Sequence, residues 1–433
     1  MNQIARLPAN LSLADPPIAG GRRRRARSGV WGVLDLGSSK TVCLIARVEA
    51  DGEPRVLGFG WQRSRGIKGG NIVDLREAEA TIRAAVAQAE EMADHKLTGV
   101  IVNLSCGQPD SRVQHIQWPI GGRAVTAPDL RAVLAEARRR AEEEGRETVH
   151  AIPLGFIIDA TPGVDDPRGM ICETLGARLH LVGAAQASLR NLGLALAACD
   201  LEVEELVAAP FAAALSTLVE DEKSIGATVV DMGGGATTIA VFQDGHLLHT
   251  SAVPVGGWNV SNDLALGLTT TIIHAERVKT LHGGVLAGHD DGREFLPVPQ
   301  VGEEEEQLAR IPRSAIVGVI RPRLTETLEL VRDRLEAAGL GPEVGKRVVL
   351  TGGASQLAGV RELAAEILGR PVRLGRPHQV RGLPEALHRP DFATTVGLLS
   401  WGAGEGRPPL DLDPEGPRPG WLSRLAEWWR ERL

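Results

Sequence analysis

The chain has 433 residues, of which 43 % are apolar and 24 % charged, and a formal net charge of −7. That balance, with a mean hydropathy of −0.05, suits a soluble protein with a large core and excludes wholesale disorder, a collagen repeat and a long coiled coil. At ~150 residues per domain the length predicts about three compact units. No run approaches the ~18 apolar residues of a membrane-spanning helix. The N-terminus lacks the apolar stretch of a secretory leader. Cys43, Cys106, Cys172 and Cys199 are far apart with no C-x-x-C pair, which argues against a zinc ribbon and a disulfide framework. A reducing, cytoplasmic setting is expected.

Charge is uneven. Residues 1–29 hold six Arg and one Asp, including Arg22-Arg23-Arg24-Arg25. They read as a disordered basic tail, either a solvated run or a contact for a membrane or an acidic partner. The body is acidic, which disfavours nucleic acid.

From Val30 strands alternate with helices, the pattern of an α/β fold. Val30–Val48 reads as a strand, a glycine turn and a second strand, and Asp51-Gly52 leads into a third at 55–62. A long amphipathic helix follows over 75–94, with Asp74 as N-cap. A strand at 100–105, a helix over 127–144 opened by Thr126 and Pro128, and strands at 150–159 and 177–181 suggest a small α+β insertion. Alanine-rich helices follow at 186–199 and 208–219. A second strand–turn–strand spans 227–242, with a turn at Asp244-Gly245. Residues 259–340 read as largely helical around an irregular 283–312, where Glu303–Glu306 form a solvated run. A strand at 347–350 runs into Thr351-Gly352-Gly353, with helices at 356–368 and 391–402.

The end of the chain is distinct. Residues 403–417 hold four prolines and three glycines, the composition of a flexible linker. Residues 418–433 read as an amphipathic helix. Trp421, Leu422, Leu425, Trp428, Trp429 and Leu433 fall within an arc of ~140°, with Arg424 and Arg430 opposite. Trp favours the membrane interface and Arg reaches headgroups. Burying those six side chains stabilises binding by roughly ten kcal/mol at most, less the cost of folding the helix. One anchor then binds reversibly and many together bind firmly.

The most informative feature is a self-match at an offset of 196 residues. Val33–Thr41 aligns with Val229–Thr237, each an apolar strand ending in Asp-x-Gly, a turn of small residues and a second strand. Glycine turns let backbone N–H groups converge into a nest for phosphate oxygens. Gly37, Ser38 and Ser39 form one such turn, and Gly233, Gly234, Gly235 and Ala236 the other. Lys40 adds a point charge for the outer phosphates. Asp35 and Asp231, at strand ends, suit Mg²⁺ held through water. Gly352, Gly353 and Ala354 offer flat backbone for an adenine. A P-loop and G-x-G-x-x-G are both absent. No H-x-x-x-H pair among His150, His180, His274 and His282 suggests metal ligation, Cys43 and Cys199 read as core, and Trp31, Trp61 and Trp258 as packing residues.

These hairpins resemble the phosphate-1, phosphate-2 and adenosine motifs of the actin-like ATPase superfamily. Within it the chain resembles the FtsA family. The resemblance rests on Ser64-Arg65-Gly66 through Asp74; on Ile152-Pro153, Asp159, Asp166-Pro167 and Gly169-Met170; and on Pro254-Val255-Gly256-Gly257, Asp263, Ala275-Glu276 and Lys279. It implies two duplicated ribonuclease-H-like halves. Subdomain 1A would be 30–96 with 182–225 and 390–402, and an inserted 1C subdomain 97–181. Subdomain 2A would be 226–271 with 341–389, and 2B 272–340.

The resemblance further implies that Gly256, Gly257, Glu276 and Lys279 join the nucleotide site, that the cofactors are ATP and Mg²⁺, and that the chain forms filaments. The implied task is to tether FtsZ to inner-membrane lipids at the cytoplasmic face of the division site and to recruit later division proteins. Subdomain 2B would take the FtsZ C-terminal peptide, with Arg310, Arg313, Arg321 and Arg323 as the nearby positive charges. Ala209-Pro210 stands where chaperone-like and MreB-like relatives have Glu-Pro, so slow turnover is expected. A PilM-type pilus homologue and a sugar-kinase-like enzyme are the alternatives; neither requires the Trp-rich tail.

Overall fold

The computed structural model describes residues 29–406, apart from 50–51, 287, 289–291 and 304–307. The basic tail up to residue 28, Asp51 of the first Asp-Gly turn, Glu304–Glu306 and the helix over 418–433 lie outside the described residues.

The first body opens with strands β1 (Val30–Leu36), β2 (Lys40–Val48) and β3 (Pro54–Arg63), a short ribbon β4 (Ile67–Lys68) and β5 (Asn71–Ile72), helix α1 (Leu75–Ala93) and strand β6 (Gly99–Leu104). The inserted unit follows as β7 (Asp110–Ala124), α2 (Ala127–Arg140), β8 (Arg146–Ile158), β9 (Thr161–Val164) and β10 (Ile171–Ala185). Helix α3 (Gln186–Ala197), β11 (Glu202–Ala208), α4 (Ala209–Thr217) and α5 (Glu220–Ile225) complete the first half. The second half holds β12 (Ala227–Met232), β13 (Thr237–Gln243), β14 (His246–Val253), α6 (Gly257–Gly267), α7 (Ile272–His282), β15 (Phe295–Pro299), β16 (Leu308–Pro312) and α8 (Arg313–Ala337). It continues with β17 (Arg347–Thr351), α9 (Val360–Leu368) and β18 (Val372–Leu374), and the last helix, α10 (Ala393–Gly402), returns to pack in the core of the first sheet.

The duplication is visible in the sheets. One has the order β11-β6-β1-β2-β3 and another β14-β13-β12-β17-β18. In both, an antiparallel meander of three strands is extended by two parallel strands beside its first. Two alanine- or glycine-containing helices, α4 and α10, are buried throughout. They pack together so closely that a Cβ built on Gly397 would lie 1.7 Å from the Ala212 carbonyl oxygen.

Local chemistry explains the helix starts. The Asp74 side chain accepts from the Arg76 and Glu77 N–H groups at 3.0 and 3.1 Å, satisfying two of the orphan donors of α1. Ala78, Ile82, Ala85 and Ala89 form its buried stripe. At the start of α2, Asp129 accepts from the Thr126 N–H at 2.9 Å, a reciprocal cap with Thr126. Asp244 and Gly245 both have positive φ, 54° and 78°, as a tight hairpin turn requires.

Three points differ from the sequence expectation. Strand β6 belongs to the first sheet, between β11 and β1, and not to the insertion expected to begin at 97. The inserted sheet has the order β7-β10-β8-β9, so it runs from Asp110 to Ala185 rather than stopping at 181. Strands β7, β11 and the hairpin β15–β16 occupy stretches left without a strand, and residues 403–406 still pack on the body, Gly406 lying against Leu215.

Candidate functional site

The two aspartate hairpins face one another between the halves. In the first, the Gly37 N–H donates to the Lys40 carbonyl at 3.0 Å, closing the turn. Asn103 supports it from β6, accepting from the Leu36 N–H at 2.7 Å. In the second, the Gly233 N–H donates to the Ala236 carbonyl, also at 3.0 Å. The turns touch. A Cβ on Gly234 would stand 2.0 Å from Ser39 Oγ, and one on Gly235 2.3 Å from Ser38 Oγ. The N–H groups of Ser38, Ser39, Gly234 and Gly235 have no protein acceptor among the described residues. Two opposed turns of uncommitted N–H groups make an anion-binding cradle.

The aspartates are tied down by one helix. Thr395 Oγ1 donates to Asp35 at 2.6 Å and Thr394 Oγ1 to Asp231 at 2.9 Å, both from the first turn of α10. Burial raises the Asp35 carboxyl above its ordinary range, against the pull of Thr395 and Lys40. Burial also pushes Asp231 up to about 6, with Asp35 adding to the rise and Thr394 and Lys40 opposing it. Such a group costs nothing below its unfolded value near 3.8. It costs more as pH rises towards about 6, and the full amount stands at neutral pH. Asp231→Asn is therefore expected to raise the melting temperature at pH 7.5, through a gain in stability of ~3 kcal/mol, and to change it little at pH 4. A shift of the same size at both pH values would contradict this.

Lys40 is itself buried, which lowers its pKa. Its ammonium meets Asp391 at 2.7 Å and lies 3.7 Å from the centre of the Phe392 ring.

The other expected residues divide into facing and supporting groups. Gly352, at φ +85°, has its Cβ position blocked by Asp231 Oδ1 at 2.3 Å, so the chain passes close beside the aspartate. Ala354 is buried, and a Cβ built on Gly353 would meet only Asp391 Cβ, at an ordinary 3.7 Å. The Gly257 and Trp258 N–H groups donate to the Gly233 and Gly234 carbonyls at 2.9 and 2.8 Å. The Gly256 N–H donates to Asn259 Oδ1 at 3.0 Å. Gly257 and Trp258 thus brace the second hairpin, and the Gly256 donor is taken up within the start of α6. The Lys279 ammonium donates to the Gly257 carbonyl, Ser261 Oγ and Glu276 at 3.0, 2.8 and 2.6 Å. Burial lowers its pKa as well.

Across the cleft, the Arg63 guanidinium lies 5.7 Å from the Trp258 ring centre, a cation–π contact joining β3 to α6. Sequence reasoning missed Asp391, Thr394, Thr395 and Arg63, and took Trp258 for packing. The local cue was slight: Asp391, Thr394 and Thr395 stand at the entry and first turn of an otherwise apolar helix. The four arginines are not one patch. Arg323 is held by Asp263, with Nη2 at 3.1 Å from Oδ1, and by Glu326. Arg313 pairs with Glu294 at 3.1 Å. Arg310 lies over Phe295, 5.3 Å from its centre, and Arg321 is exposed near the Val285 carbonyl.

Two duplicated sheets, a closing pair of helices and facing aspartate hairpins define an actin-like fold. Solved structures agree on that fold: a chain of the PilM-PilN type IV pilus biogenesis complex superposes with a TM-score of 0.61 at 19 % identity, over 86 % of this chain and 98 % of that one. MreB 5 of Spiroplasma citri bound to AMPPNP gives 0.50 at 14 %, over 87 % and 96 %. The family model for cell division protein FtsA matches residues 228–397, and that for the SHS2 domain inserted in FtsA matches 107–183. The cell division protein FtsA of Rhizobium meliloti is 44 % identical over 86 % of this chain and 87 % of its own length. That of Agrobacterium fabrum is 41 % identical over 94 % and 95 %, and that of Escherichia coli K12 is 31 % identical over 92 % and 97 %. The chain belongs to the FtsA family of cell-division proteins. The 107–183 match also fits the observed insertion, which leaves β6 with the first sheet.

Proposed function

We propose that the chain binds ATP with Mg²⁺ between the two hairpins, assembles into actin-like filaments, and tethers FtsZ filaments to the cytoplasmic face of the inner membrane, where it recruits later division proteins. The observation that carries the nucleotide reading is the cradle of uncommitted N–H groups on Ser38, Ser39, Gly234 and Gly235. Lys40 supplies a cation beside it, and Asp35 and Asp231 lie at the strand ends where a hydrated Mg²⁺ would be held. The residues fit the group: small side chains, N–H donors, one ammonium and two carboxylates. ATP-Mg would bring the polyphosphate charge to this cradle. The contact between the turns means that they part to admit it. Gly352–Ala354 would take the adenine, and Glu276 and Lys279 would border it.

Turnover is expected to be slow. Ala209-Pro210 opens α4 and is buried, with no carboxylate at that step to orient a water. A rate above ~1 s⁻¹, the low end for kinases, would contradict this.

Subdomain 2B presents an outward face for the FtsZ peptide on the β15–β16 hairpin. Its pairs Phe295–Pro312, Pro297–Arg310 and Pro299–Leu308 leave Phe295, Pro297, Leu308 and Arg310 exposed. Arg310 and Arg321 remain the better charge donors, because Arg323 is held by two acids.

No helix among the described residues is long and apolar enough to cross a membrane. The amphipathic pattern of 418–433 carries the membrane contact, through Trp421, Leu422, Leu425, Trp428 and Trp429 with Arg424 and Arg430 at the headgroups. Co-sedimentation with anionic liposomes in ATP-Mg tests it. The full chain is expected to pellet with lipid and a chain ending at Pro417 to stay in solution. Equal pelleting by both would favour the PilM-like reading.

A further inference from the structure

Asp391 lies in the turn before α10 and joins two parts of the site. One oxygen takes the Lys40 ammonium at 2.7 Å. The other accepts from the Gln356 amide at 3.2 Å and stands 3.3 Å from Arg389 Nε. Gln356 closes the short helical turn begun at Gly353. A single carboxylate therefore links the lysine of the first hairpin to the glycine segment expected to face the adenine. Both ends of the ion pair are largely buried, with side chains 14 % and 19 % exposed.

A buried ammonium needs a counter-charge, because breaking such a pair leaves an uncompensated ion away from water. Asp391 supplies that charge now. A polyphosphate would supply it equally well, and one ammonium shared between two anions is held less firmly by each. We propose that Asp391 is an internal stand-in for the nucleotide's phosphates: it holds Lys40 in the nucleotide-free chain and yields it to ATP-Mg. Asp391 then lowers ATP affinity, and its release from Lys40 reports phosphate binding to the Gln356 segment. This rests on the nucleotide reading above.

The test uses the full chain, with ATP-Mg titrated by calorimetry and melting followed with and without it. Asp391→Asn is expected to melt below the parent without nucleotide, because Lys40 loses the carboxylate it is paired with and keeps only the attraction of Asp35 and Asp231. It is expected to bind ATP-Mg about tenfold more tightly and to gain more in melting temperature from it. Asp391→Glu, which keeps the charge, restores the parent's melting. On a Lys40→Met background, adding Asp391→Asn gives a smaller gain in affinity. Equal or weaker ATP-Mg binding by Asp391→Asn would overturn the proposal. Should Asp391→Asn not fold alone, an experimental structure of the parent chain with Mg²⁺ and a non-hydrolysable ATP analogue decides: Lys40 parted from Asp391 and facing the phosphates supports the proposal, and the ion pair intact beside bound nucleotide overturns it. No binding by the parent chain would remove the nucleotide reading itself, and the proposal with it.

Discussion

Gly256→Val is expected to lower ATP-Mg affinity by about a hundredfold, the scale of a misplaced binding element, while the chain still folds. The backbone at Gly256 is extended, so any residue could adopt it. The obstacle is space. A Cβ there would stand 2.6 Å from the Gly234 carbonyl oxygen, 2.7 Å from that of Gly233 and 2.8 Å from the Ala236 nitrogen. All three atoms are backbone of the second hairpin, and none can rotate away. The hairpin must shift, and with it the N–H groups that face Ser38 and Ser39. The fold loses less, on the order of 2 kcal/mol for overpacking, because the displaced atoms lie at a cleft and not in the core. Gly318→Ala is the control: it lies exposed on α8, outside the site, with nothing near its Cβ position. Titration calorimetry measures both. Affinity of Gly256→Val within threefold of the parent would contradict the assignment of the second hairpin.

Gly397→Ala is expected to have the larger effect on stability. Its Cβ would lie 1.7 Å from the Ala212 carbonyl oxygen and 2.3 Å from the carbonyl carbon. Helices α4 and α10 are buried along their whole lengths, so neither can move towards solvent. Separating them opens the seam between the two halves and costs ~3 kcal/mol or more. Thr394 and Thr395 ride on the same helix and hold both aspartates, so nucleotide affinity falls with stability. Gly318→Ala gives the opposite sign. It lies exposed in α8 with nothing near its Cβ position and should gain up to ~1 kcal/mol from helix propensity. Thermal melting of the two variants side by side separates crowding from propensity.

The parts of the site that were legible in the sequence are those written locally. Asp35–Lys40 and Asp231–Ala236 announce themselves because a tight turn between strands needs glycine and small residues in a fixed order. The N-caps Asp74 and Thr126 are legible for the same reason. What was hidden depends on distant partners. Asp391 meets Lys40 from 351 positions away, and Thr395 meets Asp35 from 360. No local pattern marks a threonine as a carboxylate's partner. Strand β6 reads correctly as a strand, but nothing in its six apolar-rich residues says which sheet a parallel strand joins. Strand β7 is obscured by Pro119, Gly121 and Gly122 and by its largely exposed side chains, and β11 by acids alternating with valine and leucine. Gly256 and Gly257 were expected at the nucleotide site from the resemblance alone. The Gly257 N–H serves a hairpin carbonyl and the Gly256 N–H serves Asn259 Oδ1, a division of labour that needs the geometry to be seen.

The most direct measurement is an experimental structure of the full chain with Mg²⁺ and a non-hydrolysable ATP analogue. The triphosphate is expected between residues 37–40 and 233–236, with Mg²⁺ on the side of Asp35 and Asp231 and the adenine against Gly352–Ala354. A nucleotide bound elsewhere, or hairpins still in mutual contact with the analogue present at saturation, would contradict the account.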